Sequence, residues 1–271
     1  MMTVRSADAD YPLGRSVEEL RRLSEQAEAL RPSTERVLRA AGIGSGMKVL
    51  DVGCGVGDVS FLVGELVGPS GSVVGVDTDA AALAVAEQRR REKRLDNVAF
   101  VQGDLRSAPL GGVFDAAVGR LVLMYQADPT QALRAIADRL RSGGVVAFQE
   151  LAAAALPWQP PKLPLLTAVA SWVRGAFARS GTHANVGWEL YWRMSDAGLT
   201  PDLAPIAEIP LQLGPDSGAY RRWADLVRSL QPRSSSTGWP PRRKLRSIRW
   251  KSGSEKKRRR TAPVSRSSRA C

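Results

Sequence analysis

Short apolar runs alternate with amphipathic segments along the middle of the chain. The apolar runs have the length of strands buried in a sheet and lie at 48–52, 72–76, 98–101, 116–118 and 145–148. The segments between them have helical spacing and include 59–67, 80–93 and 129–140. Strands that alternate with helices form parallel sheets with helices on both faces. The pattern predicts an α/β fold built on a central, mostly parallel sheet.

Helical patterns also precede this central region. Ser16-Val17-Glu18-Glu19 is a capping box, and the apolar residues after it recur at helical spacing, so we expect an amphipathic helix over 16–30. Proline cannot donate a hydrogen bond in a helix interior, so Pro32 predicts an interruption. A second, short helix is expected over 33–41.

One predicted helix has clear end signals. Pro129 suits the first helical position after Asp128. Gly143-Gly144 can supply the left-handed residue that ends a helix. We therefore expect the helix over 129–140 to stop at these glycines, before the strand at 145–148.

The alternation of strand and helix patterns ends at Gln149. A proline-rich link leads to expected helices over 163–179 and 187–197 and to a strand-like stretch over 203–213. This half of the chain also holds the seven tryptophans, at 158, 172, 188, 192, 223, 239 and 250. They allow an apolar or aromatic small molecule to bind here, although packing in the core or in a lid is the more ordinary role for tryptophan.

The net charge of +12 is unevenly distributed. Residues 231–271 contain 14 Lys/Arg and one acid, Glu255, whereas residues 1–230 contain 25 Lys/Arg and 26 Asp/Glu. The body is therefore nearly neutral, and its charge indicates no acidic partner. Binding to nucleic acid or to an anionic surface is expected only through the tail, whose composition is typical of disorder.

Cysteine usage and hydropathy indicate a cytoplasmic protein. The two cysteines, Cys54 and Cys271, cannot form a disulfide framework or a zinc site. The sequence shows no signal-peptide pattern and no run of about 18 uncharged apolar residues that would indicate a membrane span. No metal site is predicted.

The strongest chemical signal is the segment Val49-Leu50-Asp51-Val52-Gly53-Cys54-Gly55-Val56-Gly57-Asp58. A buried strand runs into a glycine turn whose backbone can approach a ligand closely. The next strand ends at Asp77, whose carboxylate can accept hydrogen bonds from both hydroxyls of a ribose. After the third strand, Asp104 and Leu105 can meet the amino group and ring face of an adenine. These residues all lie at the carboxyl edge of the sheet, where such folds bind ligands.

A dehydrogenase site for a dinucleotide is the nearest alternative, because it also joins a strand, a glycine turn and a distal acid. That fingerprint requires a glycine three places after its second glycine, and this chain has Asp58 there. The pattern Gly-x-Gly-x-Gly is complete instead. The spacing therefore disfavours the dinucleotide interpretation.

These motifs resemble those of class I S-adenosylmethionine-dependent methyltransferases, in the bacterial small-molecule branch that includes ubiquinone and menaquinone methyltransferase-like proteins. The resemblance spans about Tyr11 to Leu230. It includes the fourth-strand segment from Phe114 to Met124 and the turn Leu140-Arg141-Ser142-Gly143-Gly144. It implies a Rossmann-like fold with S-adenosylmethionine as cofactor. The implied cofactor-binding residues are Tyr11, Asp51, Gly53, Cys54, Gly55, Gly57, Asp77, Thr78, Gly103, Asp104, Leu105 and Arg120.

The chain is expected to divide into four regions. The resemblance implies a helical lid over 1–45, which would bring Tyr11 and also Arg22 and Gln26 near the cofactor. It also implies a cofactor-binding core over 46–150 and substrate-side helices and a strand over 151–230. The charge distribution adds a basic tail over 231–271.

The expected reaction is methyl transfer to oxygen, nitrogen or carbon of a small organic acceptor. His183, the one histidine, is the candidate general base, with an ordinary loop histidine as the alternative. Motifs typical of DNA amino-methyltransferases and base-carbon methyltransferases are missing. A non-catalytic or nucleic-acid-associated protein that binds through its basic tail is the alternative function.

The end of the chain departs from the family pattern. Class I methyltransferase sheets usually close with a strand hairpin, and no second strand pattern follows 203–213. The composition changes abruptly near Pro232 to Arg, Ser, Pro and Trp. We therefore hypothesise that the last forty or so residues are a frameshifted or otherwise replaced end of the domain, so that the final strand is missing.

Overall fold

Five parallel strands form the centre of the computed structural model, which describes residues 17–153, 164–202, 206, 208 and 218–230. The strands are β1 (Lys48–Val52), β2 (Ser72–Asp77), β3 (Val98–Gln102), β4 (Phe114–Arg120) and β5 (Leu140–Gln149). The helices are α1 (Val17–Ala40), α2 (Asp58–Val67), α3 (Ala80–Lys93), α4 (Pro129–Ala137), α5 (Pro164–Ser180), α6 (Val186–Asp196) and α7 (Ala219–Ser229). The sheet order is β3-β2-β1-β4-β5, and each neighbouring pair is parallel. The predicted α/β class is confirmed.

The core lies on both faces of this sheet. In the central strand β1, Val49 and Leu50 have no exposed surface, and they point to opposite faces because strand side chains alternate. Val49 belongs to an apolar cluster with residues of α1 and α2, and Leu50 belongs to a cluster with residues of α4, α5 and α6. Helices therefore cover both faces, as the apolar strand patterns predict.

The N-terminal region is one helix, so the prediction of two helices separated at Pro32 is wrong. Proline removes one backbone donor, but tertiary contacts on both sides of it hold α1 together. Arg31 forms an ion pair with Glu65 of α2, and Thr34 donates a hydrogen bond of 2.7 Å to Gln149 of β5. These contacts attach α1 to α2 and to β5 on both sides of Pro32.

The predicted boundary between the helix over 129–140 and the strand over 145–148 is also wrong. Helix α4 ends at Ala137, and β5 begins at Leu140, which pairs with Phe114. The next paired residue after Leu140 is Val145, opposite Ala116, so the strand bulges between them. Gly143 has a φ of +73° in this bulge. The glycine pair therefore shapes the start of a strand and does not end a helix.

The second half matches the predicted helices closely, since α5 and α6 lie within one residue of the expected ranges. Helix α7 was not predicted. Of the strand-like stretch 203–213, the structure describes only Ile206 and Glu208, and neither belongs to a strand. The basic tail 231–271, with the hypotheses of a replaced end and of nucleic-acid binding, lies outside the described residues.

The described part of the chain has neither a helix suited to crossing a bilayer nor a cluster of His, Cys, Asp and Glu suited to a metal ion.

Gly75 of β2 provides a test of this packing. A Cβ built at Gly75 lies 2.8 Å from Cδ1 of Phe100 and 2.9 Å from Sγ of Cys54. We therefore expect Gly75→Ala to lower the free energy of unfolding by about 1–3 kcal/mol through overpacking. Gly44→Ala is the control, because the nearest atom to its built Cβ is 3.9 Å away. Urea denaturation of both variants checks this, and equal midpoints would contradict it.

Candidate functional site

The turn after β1 is compact because its backbone bonds to the neighbouring strand. The N–H groups of Gly53 and Cys54 donate to the Val76 carbonyl over 2.8 and 3.1 Å. A Cβ built at Gly53 lies 2.3 Å from Cγ2 of Val122, so the turn and Val122 can approach this closely only with glycine there. A Cβ built at Gly55 meets nothing within 4 Å. The turn therefore has an open side, on which a ligand can lie against the backbone.

The three glycines of the turn have left-handed backbone angles, and Cys54 lies between the first two. The φ angles are +65°, +52° and +86° at Gly53, Gly55 and Gly57. Cys54 is buried, and burial raises the pKa of its thiol. A buried thiol with a raised pKa is unreactive, so Cys54 contributes packing and its backbone N–H.

Asp51 is a buried carboxyl at the end of β1, with 1% of its surface exposed. It accepts a hydrogen bond of 2.6 Å from the Ser60 hydroxyl of α2. Burial raises the pKa of Asp51 to about 7, although Ser60 and Arg120 oppose the shift. The sequence contains no local signal that would have singled out Ser60 as its partner.

Arg120 ends β4 beside this carboxyl. Burial lowers the pKa of the Arg120 guanidinium, and Asp58 and Asp51 oppose that effect. The guanidinium also donates a hydrogen bond of 3.2 Å to the Thr34 hydroxyl of α1. A buried carboxyl and a partly buried guanidinium therefore lie at the same edge of the sheet.

Asp77 connects the glycine turn to the start of α3. Its Oδ2 accepts from the Gly55 N–H over 2.8 Å, and its Oδ1 accepts from the Asp79 N–H over 2.9 Å. Thr78, the next residue, is exposed. The predicted ribose-binding acid is thus fixed in orientation by two backbone bonds.

The predicted adenine-binding segment follows β3 at the same edge. The Gly103 N–H donates to the Asp77 carbonyl over 2.9 Å, which joins the two acidic positions. Asp104 forms an ion pair with Arg106, whose Nε lies 2.9 Å from Oδ1 and whose Nη2 lies 3.1 Å from Oδ2. The hydrogen bond from Arg106 lowers the pKa of Asp104. Leu105 between them is half-buried. Arg106 was not among the predicted residues.

Helix α1 contacts the same edge through side-chain hydrogen bonds. Thr34 donates to Oε1 of Gln149 over 2.7 Å, and Nε2 of Gln149 donates to the Ser33 hydroxyl over 2.9 Å. Farther toward the N-terminus, Arg22 is buried and donates a hydrogen bond of 2.7 Å to Gln26. Tyr11, the other residue expected from the lid, lies outside the described residues.

His183 lies in the loop between α5 and α6, near the turn that follows β4. Its backbone N–H donates to the Met124 carbonyl over 2.8 Å, and its ring Nε2 lies 3.4 Å from the Ala127 carbonyl oxygen. The loop that carries the candidate base is therefore attached to the segment after β4.

A family model described as a methyltransferase domain matches residues 43–181, just over half of the chain. The match covers all five strands and the residues of the glycine turn, Asp77, Asp104 and Arg120. The chain belongs to the class I S-adenosylmethionine-dependent methyltransferase family. The family membership expected from the motifs is confirmed.

Curated relatives include enzymes of quinone biosynthesis. The chain is 32% identical to the demethylmenaquinone methyltransferase of Lactococcus lactis over 45% of this chain and 49% of the relative. It is 36% identical to a ubiquinone/menaquinone biosynthesis C-methyltransferase of Cellvibrio japonicus, over 40% of this chain and 44% of the relative. An uncharacterized 37.1 kDa protein in transposon TN4556 of Streptomyces fradiae is 32% identical over 82% of this chain and 62% of the relative. The matches thus span between 44% and 62% of the length of these relatives.

Solved structures agree on the fold. An S-adenosylmethionine-dependent methyltransferase from Aquifex aeolicus is 20% identical, with a TM-score of 0.50 over 65% of this chain and 84% of that one. The YcgJ protein of Bacillus subtilis is 22% identical, with a TM-score of 0.51 over 75% of this chain and 79% of that one. At this identity the likeness supports the architecture alone.

The residues present fit the family's cofactor. S-adenosylmethionine carries an ammonium, a sulfonium and a carboxylate. A buried carboxyl with a raised pKa, such as Asp51, is one that an incoming cation would stabilise in its charged form. The partly buried guanidinium of Arg120 can bind a carboxylate. The open side of the turn at Gly55 leaves room beside the backbone.

The raised pKa of Asp51 predicts how stability depends on pH. The folded-state pKa of about 7 exceeds the ordinary value of 3.8. Between these values the folded protein holds a proton that the unfolded chain has released, so this group makes stability fall as pH rises. Asp51→Asn keeps an acceptor for Ser60 but does not titrate. We expect the variant to gain on the order of 4 kcal/mol relative to the unsubstituted protein between pH 4 and 8.

Urea denaturation of both proteins across this pH range, without cofactor, measures that difference. Titrating groups distant from Asp51 contribute equally to the two curves, so the difference reports on Asp51 and on the groups coupled to it. Curves that stay parallel at all pH values would show that Asp51 has an ordinary pKa.

Proposed function

We propose that this chain binds S-adenosylmethionine and transfers its methyl group to oxygen, nitrogen or carbon of a small organic acceptor. The observation that carries the proposal is the convergence of the glycine turn, Asp77 and Asp104 at the carboxyl edge of β1, β2 and β3. Hydrogen bonds from backbone N–H groups connect these three positions. The Gly55 N–H donates to the Asp77 carboxylate, and the Gly103 N–H donates to the Asp77 carbonyl. The matched family supports the cofactor assignment.

Each part of the cofactor has a candidate partner in this arrangement. We assign the methionine part to the turn at Gly53 and Gly55, with Asp51 and Arg120 as the charged groups beside it. Asp77 would accept from the ribose hydroxyls. Asp104 and Leu105 would bind the adenine, and Asp104 would then share its carboxylate between Arg106 and the adenine amino group.

The reaction places modest demands on this chain's side chains. The sulfonium supplies a methyl group that is already activated for transfer. The protein must align the acceptor and exclude water, effects that can be worth about 7–11 kcal/mol. A base is required only for an acceptor that arrives protonated. His183 remains the candidate, because its loop is bonded to the segment after β4.

The acceptor is proposed to bind on the side of α5 and α6. The loop between them contacts the carboxyl edge through Met124, and Gly187 of α6 donates to the Leu151 carbonyl over 3.0 Å, just beyond β5. The names of two relatives indicate methylation of quinone precursors, which is compatible with an acceptor that is a small organic ring.

Asp77→Asn tests the cofactor assignment. The asparagine can still accept one backbone bond, but it lacks the charge and the second carboxylate oxygen that two ribose hydroxyls require. Hydrogen bonds to charged groups contribute about 1.5–3 kcal/mol, so we expect the affinity for S-adenosylmethionine to fall about tenfold or more. Isothermal titration calorimetry measures it.

Asp96→Asn is the matched control, because Asp96 is exposed and precedes β3 at the opposite, amino edge of the sheet. We expect its affinity to equal that of the unsubstituted protein. If Asp77→Asn keeps full affinity while remaining folded by circular dichroism, the ribose assignment is refuted.

A further inference from the structure

Glu150 follows β5 directly, and its partly buried carboxylate bonds to the backbone of a different loop. Its Oε1 accepts hydrogen bonds from the N–H groups of Val122 and Leu123, over 2.9 and 2.8 Å. Its other oxygen, Oε2, is buried and has no hydrogen-bond partner in the described part of the chain. Two hydrogen bonds therefore fix the Glu150 side chain and the turn after β4 relative to each other.

That turn has a backbone conformation that needs support. Leu121 has a φ of +56°, in the left-handed region that residues other than glycine rarely adopt. Such a conformation persists only where the surrounding contacts enforce it. Here the Leu121 N–H donates to the Gln149 carbonyl over 2.9 Å, and the next two N–H groups donate to Glu150. The end of β5 thus supplies the acceptors for three successive backbone donors.

The position of this turn sets the position of the glycine turn. Val122 packs against Gly53 so closely that a Cβ built at Gly53 lies 2.3 Å from Cγ2 of Val122. A Cβ built at Gly119, the residue before Arg120, lies 3.0 Å from Cγ1 of Val122. Any displacement of Val122 would therefore change the space at Gly53, on which the proposed methionine subsite depends.

We infer that Glu150 is a positioning residue for cofactor binding, and this inference rests on the proposed function. Through the N–H groups of Val122 and Leu123, its carboxylate fixes the turn after β4 against Gly53. Without the carboxylate, two buried donors lose their acceptor and the strained turn loses two of its three bonds to Gln149 and Glu150. Val122 then no longer limits the glycine turn to one arrangement.

A role of Glu150 in strand packing alone can be distinguished from a role in cofactor binding, because another carboxylate connects strands at the opposite edge of the sheet. Asp115 of β4 accepts the Lys48 N–H over 2.7 Å and the Arg141 Nε–H over 2.6 Å. It therefore also connects strands through a backbone donor. Its contacts lie at the amino edge of the sheet, away from the glycine turn. Loss of Asp115 removes strand connections without affecting Val122.

The experiment compares Glu150→Ala, Glu150→Gln and Asp115→Ala with the unsubstituted full chain. Calorimetry gives the affinity for S-adenosylmethionine, and hydrogen exchange followed by mass spectrometry reports on the peptide that contains Val122 and Leu123. We expect Glu150→Ala to weaken binding about tenfold or more and to raise exchange in that peptide. Glu150→Gln keeps an acceptor oxygen, so we expect its affinity to stay within about threefold of the unsubstituted value. We expect Asp115→Ala to keep its affinity and its exchange in that peptide, even where its melting temperature falls.

Full affinity of Glu150→Ala would overturn the inference, and so would equal losses of affinity in Glu150→Ala and Asp115→Ala. If Glu150→Ala does not fold, hydrogen exchange in Glu150→Gln decides. Protection of the peptide with Val122 and Leu123 equal to that in the unsubstituted chain supports the acceptor role. Loss of that protection refutes it. Failure of the unsubstituted protein to bind S-adenosylmethionine would refute the proposed function itself. Binding by that protein with no effect of Glu150→Ala would refute the inference alone.

Discussion

The parallel pairing of β1 with β2 and β4 is the constraint on which the site depends. The register places Val52 opposite Val76 on one side and opposite Gly119 on the other. The glycine turn, Asp77 and Arg120 therefore leave the sheet at one level, and the turn bonds to Asp77 through the Gly55 N–H. Antiparallel pairing would send one of these strand ends to the opposite edge. The site is thus a consequence of strand direction and register, and the loops need only be short.

The parts of this arrangement that could be predicted from the sequence are those with local signals. Buried strands appear as apolar runs, and a glycine turn followed by an acid at the end of the next strand has a recognisable spacing. Asp51, Asp77 and Asp104 were placed correctly at the carboxyl edge for this reason. Their roles toward the cofactor remain proposals, because the signal locates a residue without showing what it binds.

The parts that escaped prediction depend on partners far away in the sequence. Thr34 and Arg120 are 86 residues apart, and Glu150 and Val122 are 28 apart. Nothing in the residues around Glu150 distinguishes it from a solvated acid after a strand. Pro32 illustrates the converse, since its local signal to interrupt a helix was overridden by contacts of α1 with α2 and β5. The pair Gly143-Gly144 suits either a helix end or a strand bulge, and only pairing with β4 decides between them.

Buried charge explains why this edge of the sheet is suited to binding and not to maximal stability. Asp51 and Glu150 both have pKa values raised to about 7 by burial, and burial disfavours the charge of Arg120. An apolar core at these positions would avoid that desolvation penalty. In the proposed binding mode, the ammonium and carboxylate of S-adenosylmethionine would supply counter-charges to Asp51 and Arg120, so their desolvation in the free chain would become a preference for a zwitterionic ligand. The groups that weaken the free chain would then favour the ligand-bound state, which is the usual relation between stability and function at a binding site.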